Sequence, residues 1–252
     1  MRFASLGSGS KGNATLVQAG GTCVLIDCGF SLRETEARLS RYGIEAGQLD
    51  AILITHEHGD HVRGAGPLAR KYDLPLWATR GTYSKAVLGV LPRPHYLDVQ
   101  QSFEVQDLAI QTYPVPHDAR EPCQFVFSNG QQRLGMLTDA GTITPHIETQ
   151  LGGCEALLLE CNHDVSMLEQ GPYPYSLKQR VAGRLGHLNN KQTAALLDTL
   201  DHPRLKHLVI AHLSEQNNTP ALACDALVEK TGCERDWIKV ASQDNGFDWC
   251  EI

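Results

Sequence analysis

The chain has 252 residues, of which 42% are hydrophobic and 20% charged, with a formal net charge of −7. This composition suits a folded chain with a sizeable core, read here as a single domain over residues 1–252, and excludes a disordered polymer. It also excludes a uniformly basic DNA-binding face, although a local basic patch stays compatible with the total.

No run approaches the roughly 18 apolar residues of a membrane helix. The opening Met1-Arg2-Phe3-Ala4-Ser5-Leu6-Gly7-Ser8-Gly9 lacks the long apolar stretch of a signal peptide, so a cytoplasmic protein is expected. None of the eight cysteines forms a C-x-x-C pair, which argues against zinc-ribbon and thioredoxin-type chemistry and for reduced, mostly buried thiols.

In chain order, strands are expected at Arg2 to Leu6, Ala14 to Gln18 and Cys23 to Asp27. The glycine-rich loop Gly7 to Asn13 joins the first two. It fits either a tight turn or a phosphate cradle, but lacks the strand–loop–helix context of a P-loop. Ser31 with Glu34 reads as a capping box opening a helix to about Tyr42. The apolar run Ala51-Ile52-Leu53-Ile54 reads as a buried strand, and a helix is expected from His61 through Lys71.

Further strands are expected at Phe103 to Val105, Ala109 to Tyr113, Gln124 to Ser128 and Arg133 to Thr138, with Asn129-Gly130 as a hairpin turn. Beyond Ile143 helix and strand alternate. Ala156 to Glu160 and His207 to Ala211 are buried strands, and a helix from Asn189 to Leu200 is capped by Asn189 or Asn190. Two halves of mixed β and α text predict an α/β fold, a four-layer αββα sandwich with two mixed sheets facing each other and helices outside.

The most informative segment is His56-Glu57-His58-Gly59-Asp60-His61, just past a buried strand. In extended backbone His56 and His58 project to one side and can reach one ion. Gly59 lets the chain turn, so that Asp60 and His61 can face a second ion. Two ions need further ligands, and three candidates sit at other strand ends: His117, Asp139 and His212. A carboxylate can span two ions, which makes Asp139 the natural bridge.

These residues resemble the metallo-β-lactamase superfamily in its zinc-phosphodiesterase and nuclease branch, over essentially the whole chain. The resemblance implies that His56, His58 and His117 hold a first metal, that Asp60, His61 and His212 hold a second, and that Asp139 bridges. It also implies that Asp27 organises the ligand loop from behind. The chain is similar, more narrowly, to the YycJ/WalJ-like group through Leu6 to Asn13, Leu68 to Tyr72, Glu160 to Asp164, Gly186 to Asn190 and Ala211 to Ser214. Members of that group are bacterial cytoplasmic proteins regarded as 5′-to-3′ exonucleases on double-stranded DNA.

The resemblance implies a dinuclear phosphodiesterase in which a metal-bridging hydroxide attacks phosphorus in line, with Asp60 orienting the nucleophile. An all-nitrogen-and-oxygen ligand set suits zinc, manganese or iron. Two histidines outside the ligand set, His187 and His163, are candidates to protonate the leaving oxygen. In related tRNA-processing nucleases a Gly-His-Ser histidine is held to do so, and here the segment reads Gly-His-Leu-Asn. His95, His146, His202 and His207 read as surface residues.

DNA is the expected partner. Its backbone could meet Lys178, Arg180, Arg184 and Lys191, or Arg63, Arg70 and Lys71, although charge runs are often only solvated faces. Tyr173 and Tyr175 could stack on bases or simply pack a loop. The alternatives are a phosphodiesterase for cyclic nucleotides or sugar phosphates, a thioester or lactam hydrolase of the same fold, and a non-enzymatic binding protein.

Overall fold

A computed structural model describes residues 1–83 and 88–252. Its strands are β1 (Arg2–Gly7), β2 (Ala14–Ala19), β3 (Thr22–Ile26), β4 (Ala51–Leu53), β5 (Pro75–Thr79), β6 (Arg93–Leu97) and β7 (Ser102–Val105). They continue with β8 (Leu108–Pro114), β9 (Cys123–Ser128), β10 (Arg133–Leu137), β11 (Ala156–Glu160), β12 (His207–Ala211), β13 (Ile238–Val240) and β14 (Phe247–Glu251). The helices are α1 (Leu32–Arg41), α2 (Gly59–Val62), α3 (Ala65–Tyr72), α4 (Arg80–Tyr83), α5 (Pro145–Leu151), α6 (Val165–Gln170), α7 (Tyr175–Val181), α8 (Asn190–Thr199) and α9 (Pro220–Thr231).

Two seven-stranded sheets form, in the orders β14-β1-β2-β3-β4-β5-β6 and β13-β12-β11-β10-β9-β8-β7. Both are mixed: β1, β2 and β3 pair antiparallel and β3 to β6 parallel, while β8, β9 and β10 pair antiparallel and β10 to β13 parallel. This is the expected four-layer α/β sandwich.

The sequence alternation explains the layers. In β3, Val24 and Ile26 face the inter-sheet core while Cys23 and Leu25 face α1 and α3. In β11, Ala156 and Leu158 join the inter-sheet core while Leu157 and Leu159 pack under α5, α8 and α9. Strands buried on both faces read as unbroken apolar runs, which is why they stood out in the sequence.

Several local expectations change. The helix expected over His61 to Lys71 is two helices, α2 and α3, broken at Arg63-Gly64. A side chain at Gly64 would sit 2.2 Å from the Phe30 carbonyl oxygen, and the Gly64 amide donates to Cys28 O (2.8 Å). The bend therefore serves a close backbone contact. Only half of the Ser31 capping box forms: Ser31 Oγ accepts from the Glu34 amide, but the Glu34 carboxylate turns to Arg38 Nε (2.7 Å). Asn189 is the cap of α8, with a reciprocal box to Gln192. The Asn129-Gly130 hairpin forms between β9 and β10, with Gly130 at φ 86°.

Among the described residues no helix is long and apolar enough to cross a membrane. All eight cysteines are free, and only Cys233 is not fully buried.

Candidate metal centre

β3, β4, β8, β10, β11 and β12 deliver their carboxyl ends to one edge of the sandwich, where the seven candidate ligands gather. Three of these ends finish in the left-handed region without glycine: Asp27 (φ 59°), Asp139 (φ 55°) and His212 (φ 53°). Such backbone costs of order 1–3 kcal/mol per residue and persists where surrounding structure holds it. Here it aims two carboxylates and an imidazole into the site.

The hexapeptide is positioned by the start of α2, with His58 at the N-cap. Gly59 does not work as expected. It has no left-handed φ, and a side chain there would meet nothing within 4 Å. The indispensable glycine is Gly29, where a Cβ would lie 1.7 Å from the Asp60 carbonyl oxygen.

Four histidines are tethered through Nδ1, leaving Nε2 for the site. His56 Nδ1 lies 2.9 Å from Thr55 Oγ1, and His61 Nδ1 lies 2.8 Å from Asp27 Oδ2. His117 Nδ1 donates to Gly186 O (3.1 Å), and His212 Nδ1 lies 3.0 Å from Glu160 Oε1. His58 is turned the other way, with Nδ1 3.3 Å from His117 Nε2. Such tethering fixes the ring and its tautomer.

Two triads result. Ligand atoms of His56, His58 and His117 lie within 4.8 Å of one another, as do those of Asp60, His61 and His212. Asp139 stands between them: its Oδ2 is 3.4 Å from His61 Nε2, and its Oδ1 is 3.9 Å from His117 Nε2 and 3.6 Å from His212 Nε2. The structure thus brings together all seven residues singled out as ligands.

The chemistry of the cluster fits divalent cations. His56 Nε2, His212 Nε2 and Asp139 Oδ2 are buried and lack any hydrogen-bond partner among the described residues. Polar atoms this deeply buried are normally satisfied, and cations held by the two triads would satisfy all three. Burial, with His61 and His117 nearby, holds His56 well below the usual imidazole range. Burial opposes charge on His61 and His212 too, but adjacent carboxylates, Asp139 foremost, raise His61 well above its usual value and His212 to about 10. Asp60 and Asp139 are held below the usual carboxylate range despite burial, by His61 and His212. In the absence of metal, protons thus occupy positions that cations compete for.

Three supporting residues went unassigned at the sequence level. Glu160 is fully buried at the end of β11 and takes His187 Nδ1 (2.8 Å) and His212 Nδ1 (3.0 Å) on one oxygen. The signal was present as a carboxylate closing the run Ala-Leu-Leu-Leu. Thr55 bridges Asp27 to His56, and Asn13 Nδ2 reaches Asp60 Oδ2 (3.3 Å) and His61 Nε2 (3.2 Å). Asn13 also decides the reading of the glycine-rich loop. The amides of Ser8, Gly9, Lys11, Gly12 and Asn13 all donate to protein acceptors, so the loop is a braced turn rather than an open phosphate cradle.

A cleft of about 220 Å3 opens over the cluster, walled by Asp60, Asp139, His187, His212 and, from the α7 segment, Tyr173, Leu177, Arg180 and Val181. His187 lines it with one fifth of its side chain exposed, whereas His163 is buried at 1% and does not. Burial pushes His163 down to about 4. His187 is raised, because Glu160 and Asp139 overcome its burial.

The two basic groups separate. Arg180 lines the cleft and Lys178, Arg184 and Lys191 lie on the same stretch of chain. Arg63, Arg70 and Lys71 do not line it; Arg70 bonds Leu88 O and Lys71 pairs with Glu36. Tyr175 is exposed outside the cleft. The four histidines expected at the surface are half-buried: His95 stacks on Trp77 (4.2 Å), and His207 Nε2 meets Glu251 O (2.7 Å).

Comparisons with known proteins agree with this geometry. Residues 22–212 match the family model described as a β-lactamase superfamily domain. The chain is 35% identical over 227 residues to exodeoxyribonuclease YycJ of Bacillus anthracis, covering 88% of this chain and 86% of that protein. It is 34% identical over 236 residues to exodeoxyribonuclease WalJ of Streptococcus pneumoniae, covering 91% and 87%. The metallo-β-lactamase fold protein YhfI from Bacillus subtilis superposes over 100% of this chain and 99% of its own with a TM-score of 0.77 at 16% identity, a likeness of fold. The chain therefore belongs to the metallo-β-lactamase superfamily and is an enzyme of its hydrolase class.

Proposed function

We propose that this protein is a two-metal phosphodiesterase that degrades double-stranded DNA from 5′ ends. The observation that carries the reading is Asp139, whose two oxygens lie between the two triads of ligand atoms. The substrate class is supported by the relatives named exodeoxyribonucleases, which match over most of both chains. The 5′-to-3′ direction rests on resemblance to their group.

His56, His58 and His117 would hold one ion, Asp60, His61 and His212 the other, with Asp139 shared. Zinc and manganese suit these donors, with iron as a third choice. Two such ions, when bound, neutralise charge on the phosphoryl oxygens and lower the pKa of coordinated water towards ~7.

The chain's own residues supply positioning and proton transfer. Asp60 Oδ2 is turned towards Asn13 Nδ2, His61 Nε2 and His212 Nε2 (3.3, 3.4 and 3.7 Å), and Asp60 also lines the cleft, so its other oxygen can orient an attacking water. His187 is anchored through Nδ1 on Glu160 and lines the cleft, leaving Nε2 to protonate the leaving oxygen. We assign that role to His187 rather than His163, which is buried off the cleft and kept neutral. General acids of this kind contribute about 10²–10⁴-fold.

The test is incubation of metal-loaded protein with end-labelled duplex DNA and, separately, with a small chromogenic phosphodiester. Progressive loss from 5′ ends supports the exonuclease. Cleavage of the small ester alone replaces it with a small-molecule phosphodiesterase. Duplex left intact across several metals and salt levels, with the ester also untouched, removes both.

A further inference from the structure

Arg180 stands in the wall of the cleft on α7, with 60% of its side chain exposed. Among the described residues its guanidinium meets one partner, the Asp118 carboxylate, through Nε. Asp118 is contested from the other side: its Oδ1 lies 3.5 Å from His117 Nε2 and 4.0 Å from His58 Nε2. Two hydrogen bonds lock this segment to the His117 loop, one from the Asp118 amide to Leu185 O (2.9 Å) and one from the His117 side chain, Nδ1 to Gly186 O (3.1 Å). Arg180 is therefore held at a fixed place over the cluster rather than on a loose loop.

Its surroundings favour an anion. Residues 170–197 hold four basic residues and no acidic one, in a chain of net charge −7. Of these four, Arg180 alone lines the cleft, where the acidic lining residues are Asp60, Asp118 and Asp139, so it is the one placed to meet a phosphate there. A guanidinium presents a planar fork that matches two oxygens of a phosphodiester, and it forms bidentate pairs with phosphate as with carboxylate. Exchanging one anion for the other leaves no cation unpaired.

We propose that Arg180 binds a backbone phosphate flanking the scissile bond, and that Asp118 holds its guanidinium over the cleft until that phosphate takes its place. The inference rests on the phosphodiesterase reading above and names the residue that distinguishes a polynucleotide from an ester with a single phosphate. On exchange, Asp118 loses Arg180 and retains His58 Nε2 within reach, which gives substrate binding a direct line to a residue of the first triad.

Binding of a fluorescein-labelled duplex to the metal-free full-length protein, read by anisotropy across a potassium chloride series, tests this without turnover. Arg180→Ala should weaken binding roughly tenfold and reduce the slope of log affinity against log salt by about 0.9, the value for one phosphate contact. Arg180→Lys should restore the slope but only part of the affinity. Asp118→Asn should tighten binding, and should do so less in the Arg180→Ala background, a coupling that plain charge removal does not produce. Unchanged affinity and slope in Arg180→Ala, with wild type binding normally, overturns this inference and leaves the nuclease reading standing. Weaker binding by Asp118→Asn overturns the exchange. A wild-type protein that binds no duplex at any salt overturns this inference, while the nuclease reading is decided by the metal-loaded digestion above. Thermal melting of each variant controls for folding.

Discussion

Glu160 Oε1 lies 2.8 Å from His187 Nδ1, and the same oxygen lies 3.0 Å from His212 Nδ1. One buried carboxylate therefore orients a residue of the second triad and the assigned proton donor together. Glu160→Gln can keep its carbonyl oxygen on both rings only by turning its amide group against the Ala140 and Leu188 amides that donate to Oε2 (3.2 and 3.1 Å), and in the flipped orientation it turns that group against both rings. The expected outcome is a 10–100-fold loss of affinity for one of two metal equivalents, of the size seen for outer partners of ligands, together with reduced turnover. Competition with a chromogenic chelator measures the first, and DNA degradation under saturating metal measures the second.

His187→Ala should lower turnover on duplex DNA by about 10²–10⁴-fold, the range for a lost general acid, with two metal equivalents retained. His163→Ala should leave turnover within a few-fold of wild type. Steady-state rates with metal content measured on the same samples separate the two. Equal losses in both variants would remove the assignment of the proton to His187.

Metal uptake should release protons. In the metal-free protein His61 is raised well above its ordinary value and His212 to about 10, so both are protonated at neutral pH and must deprotonate to bind a cation. Apparent affinity should therefore strengthen as pH rises through neutrality, and calorimetric heats should vary with the ionisation enthalpy of the buffer. The same shifts bear on the fold. A raised histidine stabilises the metal-free protein fully below its unfolded value of 6.5, and that contribution is lost as pH climbs towards about 10. Chelated protein should lose melting temperature over this window while metal-loaded protein does not.

Gly29 and Gly59 should respond in opposite ways to alanine. Gly59→Ala adds a side chain to open space in a helical first turn, and melting temperature and metal content should hold. Gly29→Ala drives a Cβ to 1.7 Å from the Asp60 carbonyl oxygen. The ligand loop must shift, and both stability and occupancy of the second triad should fall. Thermal melts and metal analysis of the two purified variants decide.

Much of this site was legible in the sequence for a physical reason. His56, Asp139 and His212 each follow an apolar strand that is buried on both faces, so a polar residue at its end has to be explained. Glu160 obeyed the same rule and was passed over, because it reads as the last residue of its strand rather than as a residue beyond it. The role of Gly59 was misread: positional freedom was inferred from residue type, whereas the requirement for glycine falls on Gly29, thirty positions upstream and visible only once the chains meet. The break between α2 and α3 escaped for the same reason, since Gly64 is required by Phe30 rather than by its own helix. Arg180 and Arg70 looked alike in sequence. Only the packing of α7 over the cleft tells them apart.

Each triad takes its members from both sheets of the sandwich. His56, His58, Asp60 and His61 follow β4 of the first sheet, while His117, Asp139 and His212 follow β8, β10 and β12 of the second. The cluster is thus a clasp across the seam. Ions seated in it would stitch together two layers that elsewhere meet through apolar side chains and scattered polar contacts such as His207 Nε2 to Glu251 O (2.7 Å) and Thr22 Oγ1 to Asp107 Oδ2 (3.2 Å), so that mechanical or thermal separation of the sheets would begin more readily at the opposite edge. Catalytic competence and the cohesion of the two halves would then be lost in a single event.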